Sequence, residues 1–204
     1  MLRLVIAIFA FFSLQMSDAA SCSSSQKKAQ KKGVDIESNG CSKPAGLQIS
    51  GEEDFTFCCD RHDACYATCN LSQNYCDKDF EKCMKNMCNA HFKQNDQCQG
   101  AAQMYAMGPR MFGKEPYGDL QQRHCTCVSK DQVINSYEEV IDSYLQKYVE
   151  ESKRNSTKSY MEKSKYTETK PQMLFYQILK KFPTIIQHIE GREKKGKVIG
   201  YDEL

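Results

Sequence analysis

The chain carries twelve cysteines among its 204 residues, and all of them lie between Cys22 and Cys127. An even number of cysteines in such a stretch is typical of a domain held together by disulfides in an oxidising compartment, and six bridges are possible. Zinc is the main alternative for cysteines and histidines at short spacing, but the sequence lacks a pair of CxxC knuckles. We therefore predict a disulfide framework rather than a zinc site.

The N-terminal residues 1–20 have the pattern of a signal peptide. Arg3 precedes an apolar run from Leu4 to Leu14, and small residues follow near Ala20. The run is too short to span a bilayer, so we expect the mature protein to be secreted. The last four residues, 201–204, read YDEL and resemble a KDEL-type retrieval signal, which makes the endoplasmic reticulum lumen the alternative location.

The charge of the chain gives no indication of a nucleic-acid partner. Its 28 lysines and arginines nearly balance 26 aspartates and glutamates, and the formal net charge is +2. Two sequons for N-glycosylation, at Asn70 and Asn155, are permitted in a secretory compartment. The sequence makes no prediction about oligomeric state.

Composition divides the rest of the chain into three segments. Residues 21–38 are rich in serine and lysine with few apolar positions, which predicts a flexible lead-in. Residues 39–127 are predicted to form the main, cysteine-rich domain. Residues 128–204 contain no cysteine and have apolar residues at helical spacing, which predicts a helical and charged C-terminal extension. The apolar cluster around Phe175 and Phe182 could lie on lipid, but we favour packing against the main domain.

Apolar and cysteine positions predict two long helices in the main domain. The first is expected from about residue 54 to 70 and the second from about 77 to 92, with facing stripes that form an antiparallel pair. A shorter helix is predicted from 97 to 107, ended by Gly108 and Pro109, and a turn is predicted at 116–118.

The nine residues from Cys58 to Tyr66, CCDRHDACY, carry the pattern that most indicates chemistry. They place His62 beside Asp63 in a helix whose path the cysteines would fix. Imidazole titrates near neutrality and can remove a proton from water. Asp63 points about 100 degrees further round the helix, so it would face a different object, such as a cation. The pattern predicts a hydrolytic site.

The run CCDRHDACYATCN, followed after a short linker by YCDKDFEKCMKNMC, resembles the secreted phospholipases A2 and is most similar to their group XII branch. The resemblance covers residues 39–127. It implies a mainly α, disulfide-rich phospholipase A2-like fold with two antiparallel core helices and a calcium loop. It also implies calcium-dependent hydrolysis of the sn-2 ester of glycerophospholipids at a phospholipid membrane surface, which releases a fatty acid and a lysophospholipid. His62 would activate water, while Asp63 and backbone carbonyls would hold Ca²⁺.

By the same resemblance, the calcium loop is the segment NGCSKPAG, residues 39–46. Gly46 lies 16 residues before His62, as the family's last carbonyl ligand does, and stepping back by two gives Pro44 and Ser42 as the other ligands. The segment departs from the family's glycine-rich pattern. Pro44 has no N–H, so if it stands where the common enzymes donate a backbone hydrogen bond to the oxyanion, the lost donor would cost about 2.7–4 kcal/mol.

In the common groups a carboxylate that follows a cysteine in the third helix orients the histidine, and the nearest match here is Gln99 after Cys98. A glutamine accepts a hydrogen bond but cannot stabilise an imidazolium by charge. Three aspartates are candidates to replace it: Asp77, Asp96 and Asp119. Tyr66 matches a tyrosine that supports this network, and a purely core role is its alternative. Because of Pro44 and Gln99, the rival hypothesis is a lipid- or receptor-binding module with little or no turnover.

Overall fold

The computed structural model describes residues 22–41, 55–91, 96–163 and 170–189. Its elements in chain order are β1 (Gln26–Gln30), β2 (Ile36–Ser38), α1 (Thr56–Ala67), α2 (Gln73–His91), α3 (Asp96–Phe112), α4 (Lys114–His124), β3 (Cys125–Ser129), α5 (Val133–Tyr148), α6 (Thr157–Lys163), α7 (Pro171–Lys181) and β4 (Ile186–His188). The fold is mainly α, as the sequence predicts. The predicted signal peptide, loop ligands Ser42, Pro44 and Gly46, and the YDEL tetrapeptide lie outside the described residues. No helix within the described ranges is long and apolar enough to cross a membrane.

All twelve cysteines are paired, which confirms the disulfide prediction over the zinc alternative. The six bridges are Cys22–Cys127, Cys41–Cys59, Cys58–Cys83, Cys65–Cys76, Cys69–Cys125 and Cys88–Cys98. Every secondary-structure element from α1 to β3 except α4 carries at least one bridged cysteine. The framework therefore fixes the relative positions of the elements around α1.

Helices α1 and α2 form the antiparallel pair that the cysteine stripes predict. Cys58, near the start of α1, is bonded to Cys83 in the second half of α2. Cys65, near the end of α1, is bonded to Cys76 in the first turn of α2. Because the two cross-links connect opposite ends of the helices, the helices run in opposite directions.

The connection between these helices is built from residues suited to a tight turn. Asn70 has a positive φ of 65°, a left-handed conformation that asparagine tolerates better than most residues. Ser72 caps α2, since its hydroxyl accepts a hydrogen bond from the backbone N–H of Tyr75 at 3.2 Å. This turn sets the register that places the first turns of α2 beside the last turns of α1.

The prediction of a flexible lead-in at residues 21–38 is wrong. Strand β1 pairs antiparallel with β3 in a register from Gln26↔Ser129 to Gln30↔Cys125, and the Cys22–Cys127 bridge lies beside this pair. Gln30 is 1% exposed and satisfies the C-terminal end of α1, donating to the carbonyl of Ala67 and accepting from the N–H of Cys69. Few apolar residues suffice here because cross-strand and side-chain hydrogen bonds and a disulfide hold the segment.

The cysteine-free segment is not a separate appendage. The predicted boundary after residue 127 falls inside β3. A single hydrophobic cluster joins Ala64 and Cys65 of α1 to Ile141 of α5 and Phe175 of α7, all of them fully buried. This arrangement agrees with the packing that we favoured over a lipid-facing role, because the apolar faces of α5 and α7 cover the back of α1.

Two predictions for the later part of the main domain, the end of the third helix and the turn at 116–118, are wrong. Helix α3 continues through Gly108 and Pro109 to Phe112, since a proline within a helix removes one ladder hydrogen bond without always ending the helix. Helix α4 covers the turn predicted at 116–118. Pro116 lies in its first turn, where the missing N–H has no partner to lose. Together α3 and α4 form a corner over the outer face of α1 and α2.

Candidate active site

His62 lies on α1 at the contact with α2, and the residue is 7% exposed. Its Nε2 is 2.9 Å from Oδ1 of Asp77, which belongs to the second turn of α2. The hydroxyl of Tyr66 donates to the same oxygen at 2.7 Å. The rings of Tyr66 and Phe80 flank the imidazole, with centroids 4.2 and 4.7 Å away. The pairing of the two helices thus buries a hydrogen-bonded pair, Asp77 and His62, in which the contacts fix the orientation of the imidazole ring.

Of the three aspartates that the sequence leaves as candidates to orient the imidazole of His62, Asp77 is the one that contacts it. Gln99 lies elsewhere, where its amide donates to Oδ1 of Asn89 at 2.9 Å and to the carbonyl of Lys85. Asp96 is exposed at the start of α3, and Asp119 is exposed on α4. The signal that identifies Asp77 is present in the sequence, because Asp77 directly follows Cys76 just as the family's carboxylate follows a cysteine.

Gly113 is a site residue that the sequence reasoning missed. It forms the corner between α3 and α4, and its N–H donates to the carbonyl of Pro109 at 2.7 Å. A Cβ at this position would meet that carbonyl oxygen at 2.3 Å and the hydroxyl of Tyr66 at 2.5 Å. Only a glycine lets the corner approach the Tyr66–Asp77 pair this closely. The sequence gives no distinctive signal for this role, because a glycine after a predicted helix end is common.

Asp63 points to a neighbouring face of α1, as the helical geometry predicts, and lines the same cavity as His62. Its Oδ2 accepts hydrogen bonds from the hydroxyl of Ser38 at 2.8 Å and from the N–H of Asn39 at 3.1 Å. The hydroxyl of Ser38 is also 2.7 Å from Oδ1 of Asp60, which is 1% exposed. Burial raises the pKa of the Asp63 carboxyl to about 6, although these hydrogen bonds and the charge of the neighbouring His62 oppose the shift.

The described donor atoms suit a hard divalent cation. Two largely buried carboxylates, Asp60 and Asp63, share one hydroxyl hydrogen, and the hydrogen bonds to Asp63 only partly offset the cost of burying its ionised form. Oxygen ligands of this kind are what Ca²⁺ prefers. Ser42, Pro44 and Gly46 are not described, so whether their carbonyls face Asp63 stays a prediction. No group of three or more His, Cys, Asp or Glu side chains that could hold a metal occurs in the described part of the chain.

A cavity of about 550 Å³ opens beside these groups. His62, Asp63 and Tyr66 line it on the α1 side, and the remaining wall is largely apolar. Met104 and Phe112 of α3 belong to that wall. The volume is that of a pocket for a small organic ligand or part of a larger one. The arrangement places an imidazole that could act as a base, a carboxylate suited to a cation and an apolar recess side by side.

Comparison with known proteins agrees with this reading. The family described as group XII secretory phospholipase A2 precursor matches residues 17–134. The group XIIA secretory phospholipase A2 of Mus musculus is 35% identical over 97 residues, covering 44% of this chain and 50% of the mouse protein. The Homo sapiens group XIIA secretory phospholipase A2 is 34% identical over 97 residues, covering 44% and 51%.

A group XIIB secretory phospholipase A2-like protein of Mus musculus is 28% identical over 108 residues, covering 47% of this chain and 55% of that protein. The chain thus spans about half the length of the curated relatives that it matches. No solved structure matches the chain. The matching family region contains the whole His62, Asp63 and Asp77 constellation, and the chain belongs to the group XII secretory phospholipase A2 family.

Proposed function

We propose that this protein is a calcium-dependent phospholipase A2 that hydrolyses the sn-2 ester of glycerophospholipids to a fatty acid and a lysophospholipid. The observation that carries the proposal is the buried His62–Asp77 pair at the wall of an apolar cavity, with Asp63 one residue away along the same helix. The names of the group XIIA relatives support the same reaction class.

His62 acts as the general base. With its Nε2–H donated to Asp77, the lone pair of Nδ1 is free to accept a proton from water, which attacks the ester carbonyl carbon. The carboxylate of Asp77 stabilises the imidazolium that forms, and Tyr66 holds the carboxylate in place. The proton is then passed to the departing sn-2 alkoxide oxygen, so that water is divided between the fatty acid and the lysophospholipid.

Asp63 and the carbonyls of Ser42, Pro44 and Gly46 are the proposed calcium ligands. Bound Ca²⁺ would polarise the ester carbonyl and offset the negative charge that develops on its oxygen. Burial makes the ionised carboxylate of Asp63 unfavourable, and a bound cation would offset that cost. The hydrogen bonds from Ser38 and Asn39 fix the orientation of the carboxylate.

The proposed partner is a phospholipid membrane surface. Four large apolar side chains on α3 are each about half exposed or more and follow one another at helical spacing: Met104, Met107, Met111 and Phe112. Met104 and Phe112 also line the cavity. An acyl chain leaving a bilayer at this surface would pass over apolar side chains on its way to His62, which supports placing the membrane against α3.

The rival hypothesis of a silent binding module is weakened by Asp77. The replacement of the orienting carboxylate by Gln99 was one of its two motives, and Asp77 supplies that carboxylate from α2. Pro44 remains a reason to expect slow catalysis.

We further propose that the protein is secreted, with retention in the endoplasmic reticulum lumen through YDEL as the alternative. The name of the matching family, secretory phospholipase A2, supports entry into the secretory pathway. Secretion that is unchanged after removal of residues 201–204 would exclude the alternative.

Fatty-acid release from mixed phospholipid vesicles by the oxidised full-length protein tests the proposal. Release should need calcium, stop with chelator, and fall by about 10²–10⁴-fold in His62→Gln, which removes the base. Gln99→Ala is the matched control, because that side chain bonds Asn89 rather than His62. A folded, calcium-binding protein that releases no fatty acid would favour the binding module instead.

A further inference from the structure

The strand that supports Asp63 is itself held by the C-terminal segment. Strand β4 pairs parallel with β2, with Ile36 opposite Ile186 and Ser38 opposite His188. Both isoleucines are buried, at 0% and 6% exposed. Just beyond β4, the N–H of Ile189 donates to the carbonyl of Ser38 at 3.1 Å. The position of Ser38 therefore depends on residues about 150 positions further along the chain.

Ser38 is the residue through which this support reaches Asp63. Its hydroxyl accepts from the N–H of Gly40 at 2.9 Å and has one hydrogen to give, to Asp63 or to Asp60. His188 lies on the far side of Asp60, with its Nε2 3.4 Å from Oδ2. His188 thus lies beside the oxygen of Asp60 that Ser38 does not contact, and adds a second polar contact from β4 to the pair of carboxylates.

We propose that β4 and the residues next to it are part of the calcium site, with Ser38, His188 and the N–H of Ile189 acting as positioning groups for the carboxylate of Asp63. The inference rests on the proposed function, since it takes Asp63 as the calcium ligand. It assigns a role in metal binding to a segment outside the cysteine-rich domain, where the sequence showed only an apolar cluster. Loss of a hydrogen-bond partner of a metal ligand typically reduces metal affinity by about 10–100-fold.

The first test compares Ser38→Ala with Ser38→Thr in the full-length oxidised protein. Calcium dissociation constants are measured by calorimetry, and hydrolysis is measured as a function of calcium concentration. We expect Ser38→Ala to weaken calcium binding by about 10-fold and Ser38→Thr, which keeps the hydroxyl, to stay close to the unaltered protein. At saturating calcium kcat should recover in Ser38→Ala, because His62 and Asp77 are untouched. A general loss of folding would instead lower kcat at every calcium concentration.

The second test addresses β4 directly with Ile189→Pro and Ile189→Ala. The proline removes the N–H that holds the carbonyl of Ser38, whereas the alanine keeps it. We expect a several-fold loss of calcium affinity in Ile189→Pro and in His188→Ala, and none in Ile189→Ala. Thermal unfolding without calcium shows whether each variant is folded.

The outcomes separate the two proposals. Unaltered calcium affinity in folded Ser38→Ala, Ile189→Pro and His188→Ala would overturn the inference while leaving the phospholipase proposal intact. An unaltered protein that binds no calcium would overturn both. Equal losses of affinity in Ile189→Pro and Ile189→Ala would show that the side chain rather than the hydrogen bond matters, and would remove the N–H of Ile189 from the site.

Discussion

Asp77→Asn isolates the charge of Asp77 from its hydrogen bonds. An asparagine keeps an oxygen at the position that accepts from His62 at 2.9 Å and from Tyr66 at 2.7 Å, so the side chains should stay in place. The variant loses the negative charge that would face the imidazolium in the transition state. With charge centres about 4 Å apart, the attraction between unit charges is about 4 kcal/mol at an effective dielectric constant of about 20. That energy corresponds to a loss of kcat of about 10³-fold.

The assay is the initial rate of fatty-acid release from phospholipid vesicles at saturating calcium. Asp119→Asn is the matched control, because Asp119 also lines the cavity but is exposed on α4. Calcium affinity should be unchanged in both variants, since Asp77 and Asp119 are not among the proposed calcium ligands. If Asp77→Asn kept its rate to within about threefold while folded, the charge of Asp77 would have no part in stabilising the imidazolium and the reasoning would be refuted.

Because burial raises the pKa of Asp63 from 3.8 to about 6, calcium affinity should fall as the pH drops from 7.5 to 5.5. The same shift makes the calcium-free protein lose stability as the pH rises from about 4 to 6. A calcium affinity that stays constant between pH 7.5 and 5.5 would contradict the burial argument. Glutamate at Met107 and Met111 together, two exposed side chains that do not line the cavity, should reduce vesicle binding and vesicle hydrolysis but spare hydrolysis of a monomeric short-chain ester. An equal loss on both substrates would place the defect in the active site rather than at the membrane. Phe175→Ala, which removes a fully buried ring of the C-terminal segment near α5, should lower the free energy of unfolding by about 3–5 kcal/mol in denaturant titrations. A loss below about 1 kcal/mol would contradict the close packing of this ring.

The part of the site that the sequence could predict is the part encoded within one helix. His62 and Asp63 are adjacent, so the rotation per residue of an α-helix is enough to place them on different faces. The cross-linking of α1 to α2 likewise follows from the facing cysteine stripes, whereas the pairing of Cys58 with Cys83 and of Cys65 with Cys76 comes from the structure alone. These features depend on local periodicity, which a single sequence displays.

Asp77 was within reach of the sequence but was not singled out. The family places its orienting carboxylate in the third helix, and counting helices leads to Gln99. The structure uses the second helix, where the pair Cys76–Asp77 has the same local pattern. Packing, rather than the order of the helices along the chain, decides which side chain reaches His62. The Cys76–Asp77 dipeptide therefore predicts the orienting carboxylate better than the helix count does.

The strands were not within reach. Strands β1 and β2 are short and mostly polar, so they carry no clear alternation, and their partners β3 and β4 lie about 100 and 150 residues further on. Their stability comes from these distant partners, from the Cys22–Cys127 bridge and from the bonds of Gln30 to the end of α1. Local propensity cannot report interactions of this range, which is why composition suggested a flexible segment.

The Cys22–Cys127 bridge also sets an order of events during maturation. Its sequence separation is 105, whereas Cys88–Cys98 and Cys65–Cys76 are separated by 10 and 11. At a synthesis rate of about 5–20 residues per second, Cys22 waits roughly 5–20 s for its partner to be made, while the short loops can already close. The first cysteine of the chain is therefore expected to be among the last oxidised, and strand β1 to join the fold only when β3 arrives.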